Sequence, residues 1–221
     1  MFSKLVVTKP LITIIALMHN FIVKFGKILD IFKKFAGNRV NELGNVPRRG
    51  VVPKFSDLEV LALSATAEAF SIDSENYLFY RLHNECADQF PNLITRRQYN
   101  QRRKLTYRLG EEIRKDIAAA MDGGEDVFSV DSKPVPVCKN ARAARCAMGR
   151  ETPELAPAWG YCASQNMHYY GYKLHAVCGI SGVIHSYDMT AANVHDLQYL
   201  QDVQWQYRDC LMLGDKGYLS A

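Results

Sequence analysis

A chain of 221 residues, 48% hydrophobic and 23% charged, can bury one large core or two smaller ones, and that balance excludes global disorder. The net charge of +4 is mild but unevenly placed, so placement says more than the sum. The six cysteines form no C-x-x-C pair and no zinc-ligand spacing, and they read as reduced thiols in a cytoplasmic protein. A site built from Cys138, Cys146 and His168 matches no common ligand pattern.

At the amino terminus, Leu11 to Leu17 is apolar and follows Lys4 and Lys9. The run is too short to span a bilayer, His19 and Asn20 break it, and no small-residue cleavage site follows. No membrane partner is expected. Lys24, Lys27, Lys33 and Lys34 then interleave with Phe21, Ile22, Phe25, Ile28, Leu29, Ile31 and Phe32, which predicts an amphipathic helix that packs on a core or on another copy.

The segment from Asn45 to Pro53, with two prolines and Arg48-Arg49, separates that helix from the next. Ser56-Asp57-Leu58-Glu59 forms a capping box, and Leu58, Leu61, Ala62, Ala65 and Ala69 fall on one helical face. Another helix begins after Ser74. A second capping box, Thr95-Arg96-Arg97-Gln98, opens a cationic helix carrying Arg96, Arg97, Arg102, Arg103, Lys104 and Arg108, with Tyr99 and Tyr107 among them. Short helices followed by a basic one predict a helix-turn-helix-like reader of DNA phosphates, with a merely solvated basic face as the alternative.

Residues 1–122 therefore form an all-helical DNA-binding region, and Asp122-Gly123-Gly124-Glu125 is the boundary to a second domain over residues 126–221. That domain opens with a strand from Asp126 to Asp131. A loop containing Arg142, Arg145 and Arg150 runs to about Gln165. Tyr169 to Val177 alternates like a strand, and Gly179 to Gly182 turns it into Val183 to Met189. Asn193-Val194-His195-Asp196 starts a helix to about Trp205, and Cys210 to Gly214 is the last strand. This β-β-β-α-β order predicts an α/β, ribonuclease-H-like mixed sheet, three strands antiparallel and the last returning parallel to the first beside it.

In that arrangement Asp131 and Asp215 converge at the ends of two apolar strands. Paired carboxylates make a hard oxygen site for Mg²⁺ or Mn²⁺, suited to phosphodiester chemistry. Asp196 is a third acid in reach, although its place at a helix start assigns it to capping first. Lys133 and Lys216, each near one Asp, hold DNA phosphates or balance the carboxylate charge. The Arg142–Arg150 loop is a phosphate clamp if it faces the site. His175 and His195 are expected to pack or cap.

Val130-Asp131-Ser132-Lys133-Pro134-Val135-Pro136-Val137-Cys138, Tyr170-Gly171-Tyr172-Lys173-Leu174-His175, Thr190-Ala191-Ala192-Asn193-Val194-His195-Asp196 and Gly214-Asp215-Lys216-Gly217-Tyr218 occur in this order. Together they resemble the DDE transposases of bacterial insertion sequences, most closely the insertion sequence 982 family. The resemblance implies an Asp-Asp-Glu triad that binds Mg²⁺, with Asp131 as the first residue and Asp215 as the second. It places the glutamate on a helix beyond Ala221, so the sheet is expected to be incomplete at its carboxyl end. The implied partners are terminal-repeat and target DNA, with assembly of the protein as a homo-oligomer on that DNA. A catalytically silent DNA-binding fragment, or a remnant, is the alternative.

Overall fold

The computed structural model describes residues 9–149 and 151–218, without the side chains of residues 9–17 and 216. The chain divides into two compact units, Met1–Asp116 and Ile117–Ala221.

The first unit holds α1 (Lys9–Ala36), α2 (Asp57–Ala69), α3 (Glu75–Glu85) and α4 (Arg96–Leu105), and α5 (Tyr107–Met121) runs from it into the second. Both capping boxes form: Ser56 and Glu59 satisfy each other's backbone amides at the start of α2, and Thr95 and Gln98 do so at α4. Met18 and Phe21 of α1, Leu63 of α2, Leu78 and Leu82 of α3 and Tyr99 of α4 meet in one apolar core. Thr106 separates α4 from α5, its hydroxyl donating back to the Arg102 carbonyl at 2.9 Å. Four helices stand where the sequence predicts them, but the cationic helix is interrupted at Thr106, so Tyr107 and Arg108 lie at the start of a fifth helix, α5. Their helix-turn-helix reading of DNA remains a proposal.

The second unit is a five-stranded mixed sheet: β1 (Val127–Cys138), β2 (Ala158–Cys162), β3 (Met167–Gly179), β4 (Ile184–Ala191) and β5 (Leu211–Gly214), with α6 (Asp196–Val203) between β4 and β5. β3 pairs antiparallel with β1 along one edge, and with β2 and then β4 along the other. β5 lies parallel to β1 in the register Val127↔Leu211 through Val130↔Gly214. Pro134 and Pro136 fall in the part of β1 beyond the reach of β5, where a missing N–H is tolerated at an open edge. Gly171 must lack a side chain, because a Cβ there would run into the Val135 carbonyl.

The antiparallel strands, the helical crossover and the parallel return agree with the expected order, and the mixed α/β sheet is consistent with a ribonuclease-H-like domain. β2 corrects the expectation of a continuous loop to Gln165. It has only five residues, and Trp159 and Tyr161 alternate onto a half-exposed side instead of a core. The helix α6 also ends two residues earlier than expected. Phe128, Val130, Val177, Tyr199, Val203 and Tyr218 form the second core, in which α6 and Tyr218 cover one face of β1 and β3.

Candidate metal centre and nucleic-acid surface

Asp131 and Asp215 each follow the last rung of the parallel ladder, Val130↔Gly214, so they emerge side by side from neighbouring strands. Both are exposed. Asp215 shapes the turn beyond it: its Oδ1 accepts from the Gly217 amide at 2.8 Å, and its carbonyl accepts from Tyr218 N. Asp131 Oδ1 accepts from the Ser132 amide at 2.7 Å.

A third carboxylate joins them. A Cβ at Gly217 would lie 3.0 Å from Asp215 Oδ1 and 3.1 Å from Asp196 Oδ2, so these two acids flank the same small residue. The cap of α6 is His195, whose Nδ1 accepts from Leu197 N at 3.2 Å. Asp196, expected to cap, instead pairs with Lys173 Nζ at 2.9 Å, and the same ammonium donates to the Val194 carbonyl. Lys173, on β3, therefore faces Asp196.

Under the carboxylates lies a buried aromatic layer. The Tyr218 hydroxyl meets His175 Nδ1 at 3.2 Å, His175 Nε2 meets Thr190 Oγ1 at 2.9 Å, and the imidazole stacks on Tyr199. Burial, and then the charges of Asp196, Asp131 and Asp215, push the Tyr218 hydroxyl far above the usual phenol range, so it stays protonated. The three charges thus lie in the electrostatic surroundings of one hydroxyl, although their oxygens do not all come within 4.8 Å of one another. Burial holds His175 below its ordinary value of 6.5, in its neutral form. The donor set is all carboxylate oxygen at one sheet end, which fits a hard divalent ion such as Mg²⁺ or Mn²⁺.

The predicted DNA contacts separate into groups. On α4, Arg97 and Lys104 are exposed. Arg96 and Arg103 both approach Glu75 at 3.7 Å, and Arg103 also lies over the Tyr99 ring. Arg102 departs from the expected cationic face. Its guanidinium turns inward to the fully buried Asp57 at 2.6 Å and to the Phe55 carbonyl. Asp57 also holds Arg48 and the Val46 amide, so Arg102 ties α4 to the segment before α2. Lys133 is exposed on β1, and Arg142 and Arg145 are exposed on the 3-10 turn Asn140–Arg145. Arg150 and the Lys216 side chain lie outside what is described.

One cluster escaped the sequence reading. Asp122 and Glu125, read only as linker, meet His185 at the other end of the sheet. The Asp-x-x-Glu spacing carries no sign of a histidine sixty residues on, and only the β3–β4 hairpin brings it there. Among the described residues this is the one group of three or more histidine, cysteine or carboxylate side chains with ligand atoms within 4.8 Å of one another, and it includes neither the Asp131, Asp196 and Asp215 set nor Cys138, Cys146 or His168.

Residues 122–221 match the model of the family described as the transposase DDE domain, which supports a DDE transposase, a class dependent on divalent metal. No curated protein and no solved structure matches the chain. No described helix is long and apolar enough to cross a membrane.

Proposed function

We propose that this chain belongs to a transposase of the insertion sequence 982 type, which binds the element's ends as a homo-oligomer in the cytoplasm and cuts and joins DNA strands. The observation that carries this reading is the adjacency of Asp131 and Asp215 beyond Val130↔Gly214, inside the matched region. In this reading Asp131 and Asp215 hold Mg²⁺ or Mn²⁺. Such an ion supplies Lewis-acid stabilisation of charge on a phosphodiester.

The chain's own residues do the rest. Tyr218 and His175 anchor the turn that carries Asp215. Lys173 offsets the charge of Asp196, which lowers repulsion among the three acids. Lys133, Arg142, Arg145 and Lys216 are proposed to hold phosphates near the carboxylates. Arg97 and Lys104, two turns apart on α4, are proposed to face the element end, with Arg96 and Arg103 at their margin and Arg108 exposed at the start of α5. Arg102 is left out because its charge is spent on Asp57.

The test is excision of a plasmid-borne element carrying the whole reading frame in which these codons lie. Asp131→Asn and Asp215→Asn should each lower excision by at least a hundredfold while leaving end binding intact. Excision that survives either substitution would remove the proposed centre.

A further inference from the structure

The carboxylate–histidine group at the opposite end of the sheet is built in a way a linker does not require. Asp122 follows the last residue of α5, Glu125 precedes β1, and His185 is the second residue of β4. One ligand atom from each lies within 4.8 Å of the others. Each carboxylate spends one oxygen on a backbone amide: Asp122 Oδ1 accepts from Glu125 N at 2.8 Å, and Glu125 Oε1 accepts from Ser181 N at 2.9 Å. Those bonds fix both carboxylates and leave the second oxygen of each for another partner.

Glu125 Oε2 is buried and accepts no hydrogen bond, an expensive state for an anionic oxygen. It occupies space open only because residue 179 is glycine, and a Cβ there would overlap it. The same Cβ would lie 3.4 Å from His185 Nε2, so Gly179 brings carboxylate and imidazole to one spot. Asp122 Oδ2 stands 3.6 Å from His185 Nδ1. That is long for a hydrogen bond but close to the roughly 3.4 Å that separates two ligands of one tetrahedral ion with bonds of about 2.1 Å. The ring is held edge-on by Phe128.

We propose that Asp122, Glu125 and His185 bind a first-row divalent transition ion of the Zn²⁺ class, at a structural site separate from the Asp131–Asp215 centre. Two carboxylates and one imidazole suit such an ion better than Mg²⁺ or Ca²⁺, which take oxygen ligands. The ion would offset the charge of two neighbouring carboxylates and give the buried Glu125 oxygen its partner. It would join the strand that carries Asp131 to the β3–β4 hairpin at the end remote from the DNA chemistry.

The experiment uses the full chain carrying Asp131→Asn and Asp215→Asn, stripped with chelator and titrated with Zn²⁺ by calorimetry and thermal melting. One equivalent should bind and raise Tm. Glu125→Gln and His185→Asn, each added separately, should weaken Zn²⁺ at least tenfold, and Co²⁺ should give visible bands that His185→Asn changes. Asp122→Asn serves if either variant fails to fold. Absence of Zn²⁺ binding, or affinity unchanged within twofold in the ligand variants, would overturn the site. The first of these would leave the Asp122–His185 approach as a side-chain contact that needs no ion.

Discussion

His175 is fully buried, and both ring nitrogens have partners, Tyr218 on one side and Thr190 on the other. A buried imidazole with both nitrogens satisfied costs little, whereas one that loses a partner bears the desolvation penalty in full. Tyr218→Phe should therefore destabilise the carboxyl-terminal unit by about 1–3 kcal/mol, read by urea unfolding, and should loosen the Asp215 turn. No change in stability would show the Tyr218–His175 bond to be incidental. The same residue makes stability depend on pH. Its folded value lies below the ordinary 6.5, so the unfolded chain binds the proton more readily. Its contribution is complete above about 6.5 and declines as pH falls through the folded value. Melting of the wild type should show this acid decline and His175→Gln should flatten it. An equal decline in both would assign the effect to other groups.

At the scale of elements, α4 shows how charge pattern and charge use diverge. Arg97 and Arg102 are alike in the sequence, yet one is exposed and the other is 12% exposed and paired with a fully buried aspartate. The partner, Asp57, is 45 residues away, so helical spacing could not reveal it. Arg102→Ala should cost about 3–5 kcal/mol, because Asp57 keeps its buried charge with less compensation. Arg97→Ala with Lys104→Ala should leave stability unchanged, weaken DNA binding across sequences and reduce the salt slope by about one for each phosphate no longer held. Equal effects of both changes on stability would erase the distinction. The four main strands were legible because alternation and the Gly179–Gly182 turn are local signals, and the crossover set the parallel return. β2 was not, since a short strand at half-exposed positions lacks an apolar period. The adjacency of Asp131 and Asp215 followed from strand order, whereas the Lys173–Asp196 pair and the Asp122–Glu125–His185 group depend on side chains meeting across the fold.

For the whole molecule, the proposed function assigns the chemistry to the sheet that presents carboxylates and DNA retention to the helical unit that presents cations. The three acids whose charges act on Tyr218 are not equivalent. Asp131 and Asp215 are exposed and form no ion pair among the described residues, whereas Asp196 is already engaged by an ammonium at 2.9 Å. A carboxylate paired in this way must give up Lys173 before it can offset a second divalent charge, and that exchange leaves a half-buried ammonium without its partner. The 221-residue polypeptide should therefore bind element-end DNA with a steep salt dependence yet show no strand joining in Mg²⁺ or Mn²⁺. The measurement is end cleavage and joining by purified wild type, Asp131→Asn and Asp196→Asn on labelled DNA. Joining by the wild type that both substitutions abolish would make Asp196 the third ligand and reverse this prediction. Joining that only Asp131→Asn abolishes would also defeat it, and would place the third carboxylate elsewhere in the chain.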